Sequence, residues 1–287
     1  SLEGSKDFAK DFMEKYNIPT ARHKTFNAEN IDLADSFLET MTPPYVLKAD
    51  GLAAGKGVLI LNDLSEAKKE IRSMIIDKKF GKSSSKVVVE EFLEGAELSC
   101  FVLTDGKTYK TLPFAKDYKK IGEGDSGLNT GGMGAISPVP FLDDEFLLKI
   151  ENKIIKPTID GIVKEKMEYV GFVFIGLIKV GEEPYVIEYN VRMGDPETEV
   201  VFPRIKNDIV ELFDSLGTSN FDKITLSINP NYAATVILVS GGYPEDYEKE
   251  KIINGLSETK NVTVFHAGTK KQGSNFITNG GRVLAVT

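Results

Sequence analysis

Tryptophan is absent from the 287 residues, cysteine occurs once and histidine twice. The lone Cys100 excludes a disulfide within the chain and favours a reducing, cytoplasmic setting. His23 and His266 stand in no Cys/His cluster, so a zinc site of that kind is not expected. Neither sits in a motif for a Ser-His-Asp triad, and ordinary structural histidines are the better reading. Positive charge is also scarce: 35 Lys and Arg face 43 Asp and Glu, a formal net charge of -8. Nucleic acids and anionic membrane surfaces are bound through a positive field, so neither is expected as a partner. No apolar run approaches a membrane span, and "SLEGSKDFAKDF" lacks the basic-then-apolar layout of a secretion signal.

What is present begins with "KADGLAAGKGV" at 48–58, a glycine-rich stretch after an apolar strand pattern. It fails the Walker phosphate-loop test twice. Three residues, not four, separate Gly51 from Gly55, and Lys56 is followed by Gly57 where a magnesium-binding hydroxyl belongs.

Around it the chain alternates helix and strand signals. Ser5 is a candidate N-cap for a helix with Phe8, Phe12 and Tyr16 every fourth position, ended by Pro19. A short helix over 31–41 places Ala34, Phe37, Leu38 and Met41 on one face. "YVLKA", "VLIL" and "VVVEEFL" read as buried strands, with a helix capped by Ser65 carrying Ile71, Met74 and Ile75 inward. "LSCFVLTDGKTYKTLPF" reads as two strands about the Asp105-Gly106 turn. Residues 115–138 have almost no apolar periodicity and read as a long loop. A helix disturbed near Pro157 is expected over 143–168. Two strands follow, "GFVFIGLIKV" and "PYVIEYNVRM", then a helix over 207–216 ended by Gly217. The remainder reads as short strands forming a small separate β-rich unit. The whole is a mixed α/β or α+β protein.

Strand alternation in "VIEYNVR" puts Glu188, Asn190 and Arg192 on one face. Burying those three together is costly unless a ligand or metal satisfies them. Glu188 and Asn190 offer hard oxygens suited to Mg²⁺, and Arg192 can brace a phosphoryl group. In isolation a solvated strand face with a local ion pair would be the better reading. It is followed at once by "RMGDPETE", whose Asp195 and Glu197 are either amine or cation ligands or a polar helix-capping turn. In "DSGLNTGGMGA" closely spaced glycines let backbone N–H groups approach an anion, with Lys116, Lys119 and Lys120 just upstream. A loop this long inside a compact domain is more often functional than idle.

In this order, "KADGLAAGKGV", "VVVEEFLEGAELS", "DSGLNTGGMGAISP", "GLIKV" and "VIEYNVRMGDPETE" resemble the ATP-grasp ligases, most narrowly the glycinamide ribonucleotide synthetase family. "SGGYP", "FHAGT" and "TNGGRVLAVT" resemble its C-terminal portion. The resemblance implies an α+β ATP-grasp fold, two α/β lobes around an ATP cleft with a small β-rich C-terminal unit. The implied divisions are an N-terminal helix (1–18), a small lobe (19–91), a large lobe (92–230) and a partial C-terminal domain (231–287). It further implies ATP-dependent ligation of glycine to phosphoribosylamine through an acyl phosphate, with Mg²⁺ or, in its place, Mn²⁺. By the same resemblance Lys48 and Lys56 contact the ATP phosphates, Gly55 and Gly57 let the loop close, and Glu90, Glu91, Phe92 and Leu93 line the adenine pocket. Glu97 holds the ribose, Glu188 and Asn190 bind the metal, and Arg192 stabilises the transferring phosphoryl group. Asp117, Asn129, Thr130, Gly131, Gly132 and Met133, with Asp195, Pro196 and Glu197, form the substrate side. The family normally carries an upstream domain with a Gly-Gly-Arg-Glu-His segment and a helical tail. Neither is matched, so a fragment of a longer enzyme is expected. Another ATP-grasp carboxylate–amine ligase, or a nucleotide-binding module without turnover, are the alternatives.

Overall fold

The computed structural model describes residues 2–51 and 57–287. In chain order the first elements are α1 (Lys6–Lys15), β1 (His23–Asn27), α2 (Ala34–Glu39), β2 (Tyr45–Ala49), β3 (Val58–Leu61), α3 (Leu64–Ile75) and β4 (Lys86–Glu91). There follow β5 (Ala96–Thr104), β6 (Tyr109–Thr111), β7 (Lys116–Gly122), β8 (Ser126–Ser137), α4 (Asp144–Ile150) and α5 (Lys156–Lys164). The rest are β9 (Gly171–Val180), β10 (Glu183–Asn190), α6 (Thr198–Val201), α7 (Ile209–Asp214) and β11 (Ala233–Val239). The chain closes with β12 (Ile252–Ile253), β13 (Val264–His266), β14 (Thr269–Gln272), β15 (Asn275–Thr278) and β16 (Arg282–Val286). Two compact units result, Ser1–Glu97 with Asp143–Val191 and Leu98–Leu142 with Arg192–Thr287. None of the described helices is long and apolar enough to cross a membrane.

The first unit contains an antiparallel sheet in the order β1-β4-β2-β3. Val87 and Val89 of β4 and Leu47 and Ala49 of β2 bury one face against Leu38 of α2 and Ile71 and Met74 of α3. β2 is buried on both faces, which its continuous apolar sequence anticipates. Asp63, not Ser65, caps α3, its carboxylate accepting from Glu66 N. Only a residue still in extended backbone can turn its side chain onto the first free amides. α1 is capped by Ser5 as expected. Its buried residues are Ala9, Lys10, Phe12 and Met13, while Phe8 is exposed. The helix over 143–168 is interrupted before Pro157 by a π-helical turn, Glu151–Ile155. The wider turn directly precedes Pro157, whose ring and missing N–H a regular α-helical turn would not accommodate. β9 and β10 form an antiparallel hairpin whose register slips between Val186 and Glu188, leaving Ile187 as an extra residue.

In the second unit the order β13-β16-β11-β8-β7 makes one five-stranded sheet. Residues 115–138, expected to be a loop, are the hairpin of β7 and β8. Glycines hide the alternation but remove none of the backbone donors. At Gly134 an added methyl would lie 2.6 Å from Thr235 O, so the pairing of β8 with β11 needs this glycine. The final strands are therefore not a free-standing sheet: β11 joins them to β8. β12, β15 and β14 form a small second sheet. α7 is shorter than the expected 207–216 because Asp208 caps it, accepting from Val210 N and Glu211 N.

α1 and α5 meet at Gly161, where an added methyl would fall 2.5 Å from Phe12 Cζ and 2.9 Å from Tyr16 Cδ2. Alanine is a better helix former than glycine by about 1 kcal/mol, whereas overpacking a buried ring costs about 1–3 kcal/mol. The clash outweighs the propensity. Gly161→Ala is expected to lower the unfolding free energy by about 1 kcal/mol in urea titration. An unchanged or higher midpoint would refute the close crossing.

Candidate nucleotide and substrate site

The first unit buries a group of ionised side chains that its apolar strands would not suggest. In the β2–β4 ladder Lys48 lies opposite Val88, so Glu90 follows two residues along on the same face. Lys48 Nζ is 3.0 Å from Glu90 Oε2, and Lys10 Nζ, arriving from α1, is 3.0 Å from the same oxygen. Lys10, Glu90 and Lys48 are only 2%, 3% and 8% exposed. Lys10 also donates to Thr20 Oγ1 at 2.7 Å, and Thr20 donates onward to Val186 O at 2.7 Å. Lys48 reaches the carbonyl of the bulged Ile187 at 3.5 Å. Burial pulls the Lys10 ammonium down to about 8, with Glu90 opposing the fall. Burial pushes the Glu90 carboxyl up, but the Lys48 and Lys10 ammoniums together hold it below its ordinary value. Among the described residues Glu90 Oε1 has no hydrogen-bond partner. A third lysine, Lys6, donates to Ala49 O at 2.9 Å, and its ammonium is lowered by burial and by Lys48 while Glu188 and Asp50 oppose the fall.

Beside this cluster, Glu91 accepts from Arg22 N at 2.8 Å, Phe92 and Glu97 are exposed, and Leu93 is half-buried. Gly57 O accepts from Ala49 N at 2.7 Å. Gly55 and Lys56 lie outside the described residues. On β10, Glu188 and the buried Asn190 share a face and touch, Asn190 Nδ2 donating to Glu188 Oε1 at 3.3 Å. Turning the amide over presents two oxygens side by side, a donor set that suits Mg²⁺ completed by phosphate oxygens. No group of three or more His, Cys, Asp or Glu converges among the described residues. β10 ends at Asn190, so alternation does not carry to Arg192, contrary to the three-residue face expected. Arg192 is exposed and donates to Met193 O at 3.0 Å.

The second unit brings the other expected residues together. Arg282 Nη1 donates to Gly131 O at 2.8 Å and, with Nη2, grips Asp195 through both oxygens at 3.0 and 2.9 Å. Gly131 N donates to Tyr243 Oη, and Gly132 N to Thr130 Oγ1. Gly132 has φ +116°, and an added methyl would be 2.4 Å from Pro196 Cδ, so only glycine lets this strand meet the Asp195-Pro196 turn. Asn129 is exposed, while Met133 is half-buried. Buried Glu197 accepts from Ser99 Oγ at 2.8 Å. Burial, then the Asp117 charge, push its carboxyl above the ordinary range. Sequence reading missed Lys6, Lys10, Ser99, Tyr243 and Arg282. Tyr243 and Arg282 lie within "SGGYP" and "TNGGRVLAVT", segments that carried the resemblance, whereas Lys10 falls outside the Phe8, Phe12 and Tyr16 repeat expected for α1.

The family model "Phosphoribosylglycinamide synthetase, ATP-grasp (A) domain" matches residues 4–198, and the synthetase C domain matches residues 233–287. A bifunctional purine biosynthetic protein of Pichia angusta is 45% identical over 289 residues, covering 100% of this chain and 36% of its own length. A phosphoribosylamine–glycine ligase of Vibrio cholerae is 43% identical over 289 residues, covering 100% of this chain and 67% of its own. The chain thus spans about a third of such bifunctional relatives and about two thirds of the single ligases. The crystal structure of phosphoribosylamine–glycine ligase from Thermotoga maritima matches with TM-score 0.86 and 38% identity over 99% of this chain and 70% of that one. A Hydrogenobacter thermophilus biotin carboxylase domain in complex with MgADP matches with TM-score 0.71 at 18% identity over 99% of this chain and 61% of that one, a likeness of fold.

Two predictions follow from the charges. Glu90→Gln leaves two buried ammoniums without a carboxylate, and is expected to cost about 3–5 kcal/mol in denaturant unfolding. Its stabilising pairing is present above the unfolded carboxylate pKa and is lost as pH falls through the lower folded value, so the variant also loses that acid limb. Glu197 runs the other way. Its raised carboxyl contributes stability below the unfolded pKa, lost as pH rises through the folded one. Glu197→Gln keeps an acceptor for Ser99 and no ionisable group, so its melting temperature at neutral pH should exceed the wild type's. A lower one would contradict the assignment.

Proposed function

The chain belongs to the phosphoribosylglycinamide synthetase family, and from that premise we propose that it binds Mg-ATP and supports joining of glycine to 5-phosphoribosylamine. The products are glycinamide ribonucleotide, ADP and phosphate, formed by way of glycyl phosphate in the cytoplasm during purine synthesis. The observation that carries the reading is the buried Lys10–Glu90–Lys48 group, one of whose carboxylate oxygens has no partner among the described residues. An unmet buried acceptor costs about 1–3 kcal/mol, and an N–H donor such as the adenine amino group relieves it. Glu91, Phe92 and Leu93 complete the base pocket, and Glu97 takes the ribose hydroxyls.

Lys48 and Lys6 oppose the phosphate charge from the same unit. Glu188 and Asn190 are the residues that would hold Mg²⁺, whose chemistry there would be neutralisation of phosphate charge. Arg192 and Lys56 stabilise the transferring phosphoryl group, Lys56 and Gly55 lying outside the described residues. Asp117, Asn129 to Met133, and Asp195 to Glu197 orient glycine and the acceptor amine, with Arg282 fixing Asp195 against Gly131. No protein nucleophile is needed, since the glycine carboxylate attacks the γ-phosphate and the amine displaces phosphate from the acyl carbon. The division into a helix (1–18), a small lobe (19–91), a large lobe (92–230) and a partial C-terminal domain (231–287) is the functional one we adopt.

The test is ADP release that depends on both glycine and phosphoribosylamine, measured for the chain alone and joined to a relative's upstream domain. Glu188→Gln is expected to reduce turnover of the active form by about 100-fold. Equal ADP release with an unrelated acid and amine would sink the substrate assignment. Binding with no turnover in either form would leave a nucleotide-binding module.

A further inference from the structure

Lys10 is fully buried beside Glu90, and the ligation chemistry makes no use of it. We infer that Lys10 is a positioning residue of the nucleotide site: it holds the Glu90 carboxylate for Lys48, and the proton on its Nζ sets how strongly the site takes a nucleoside diphosphate. The inference rests on the nucleotide reading of the Lys48–Glu90 pair.

The geometry supports it in three ways. Both ammoniums contact Glu90 Oε2 at 3.0 Å, so Lys10 pulls on the atom that aims Lys48 and leaves Oε1 with no partner among the described residues. The second Lys10 contact, Thr20 Oγ1, is itself anchored by its bond to Val186 O, on the strand that carries Glu188 and Asn190. The side chain is therefore held at both of its partners rather than lying loose along α1. The three charges sum to +1 with Lys10 protonated and to zero without it, a difference felt strongly by a phosphate-bearing ligand in a buried setting. The groups acting on Nζ are Glu90 and Glu91 of β4 and Lys48 of β2. Lys6, one turn earlier on α1, faces Glu188 of β10, Asp50, Lys48 and Glu90. Burial brings the Lys10 ammonium to about 8, within reach of ordinary solution conditions.

The signs run one way. An anion bound nearby favours protonated Lys10, so binding takes up a proton when the solution lies above the free value, and affinity falls as pH rises. Mg-ADP binding to the full chain, followed by calorimetry from about pH 7.5 to 9.5, should weaken about three- to tenfold. In buffers of different ionisation heat, proton uptake should appear near the upper end. Lys10→Arg keeps the charge without a titration in this range, so its profile should be flat. Lys10→Met should bind at every pH as weakly as the wild type does at high pH. A wild-type profile without proton uptake, or a Lys10→Arg profile with the wild-type slope, would overturn the role of Lys10. Should Lys10→Met fail to fold, the Lys10→Arg profile set against the wild type's decides, because wild-type proton uptake by itself does not separate Lys10 from Lys6. Absence of Mg-ADP binding by the wild type at any pH would instead remove the nucleotide reading itself.

Discussion

Glu90 Oε2 accepts two ammonium groups at once, and the first unit is arranged around that shared oxygen. Removing a carboxylate and two lysines from water costs several kcal/mol per ion, and mutual attraction repays it only when the geometry is tight. The tightness comes from apolar surroundings. β2 and β4 are buried on both sides, so Lys48 and Glu90 have no rotamers that reach solvent cheaply. α1 then supplies the second lysine, capped by Ser5 and seated against α5 at Gly161. A helix that looks like a simple amphipathic cover thus becomes part of an electrostatic assembly.

The strand framework was legible because alternation and apolar runs follow directly from burial. "YVLKA", "VVVEEFL" and the two strands about Asp105-Gly106 appear where the pattern puts them. What was hidden had physical causes. The 115–138 hairpin was obscured because glycine contributes no hydrophobic signal, while its backbone pairs like any other. Alternation was extended two residues too far at Arg192, since nothing in a side-chain pattern marks where a ladder loses its last partner. Of the candidate site, Glu188 and Asn190 touch as strand alternation predicts, and Gly131–Gly132 meet Asp195–Pro196 as the family resemblance implies. Lys10, Tyr243 and Arg282 act from distant chain positions, and only the folded backbone brings them in.

The two units hold their residues by different means. In the first, charges are fixed by burial among β-branched side chains. In the second, the backbone itself is gripped: Arg282 reads a carbonyl and a carboxylate together, and Tyr243 takes an amide. Planar guanidinium geometry suits that dual contact in a way a lysine would not. Glu197, also in this unit, takes a hydroxyl instead, accepting from Ser99 Oγ on Oε1.

The strand order of the second unit also dictates a timetable. Arg282 is made 151 residues after the Gly131 it must hold, which at ordinary rates of synthesis separates them by about ten to thirty seconds. For roughly the first hundred residues of that interval β8 offers an open edge, until its partner β11 emerges. A glycine-rich edge makes a poor template for aggregation, lacking the apolar side chains that lock stray strands together. The residues that allow β8 to pack closely in the finished protein therefore also keep the nascent chain from sticking while it waits.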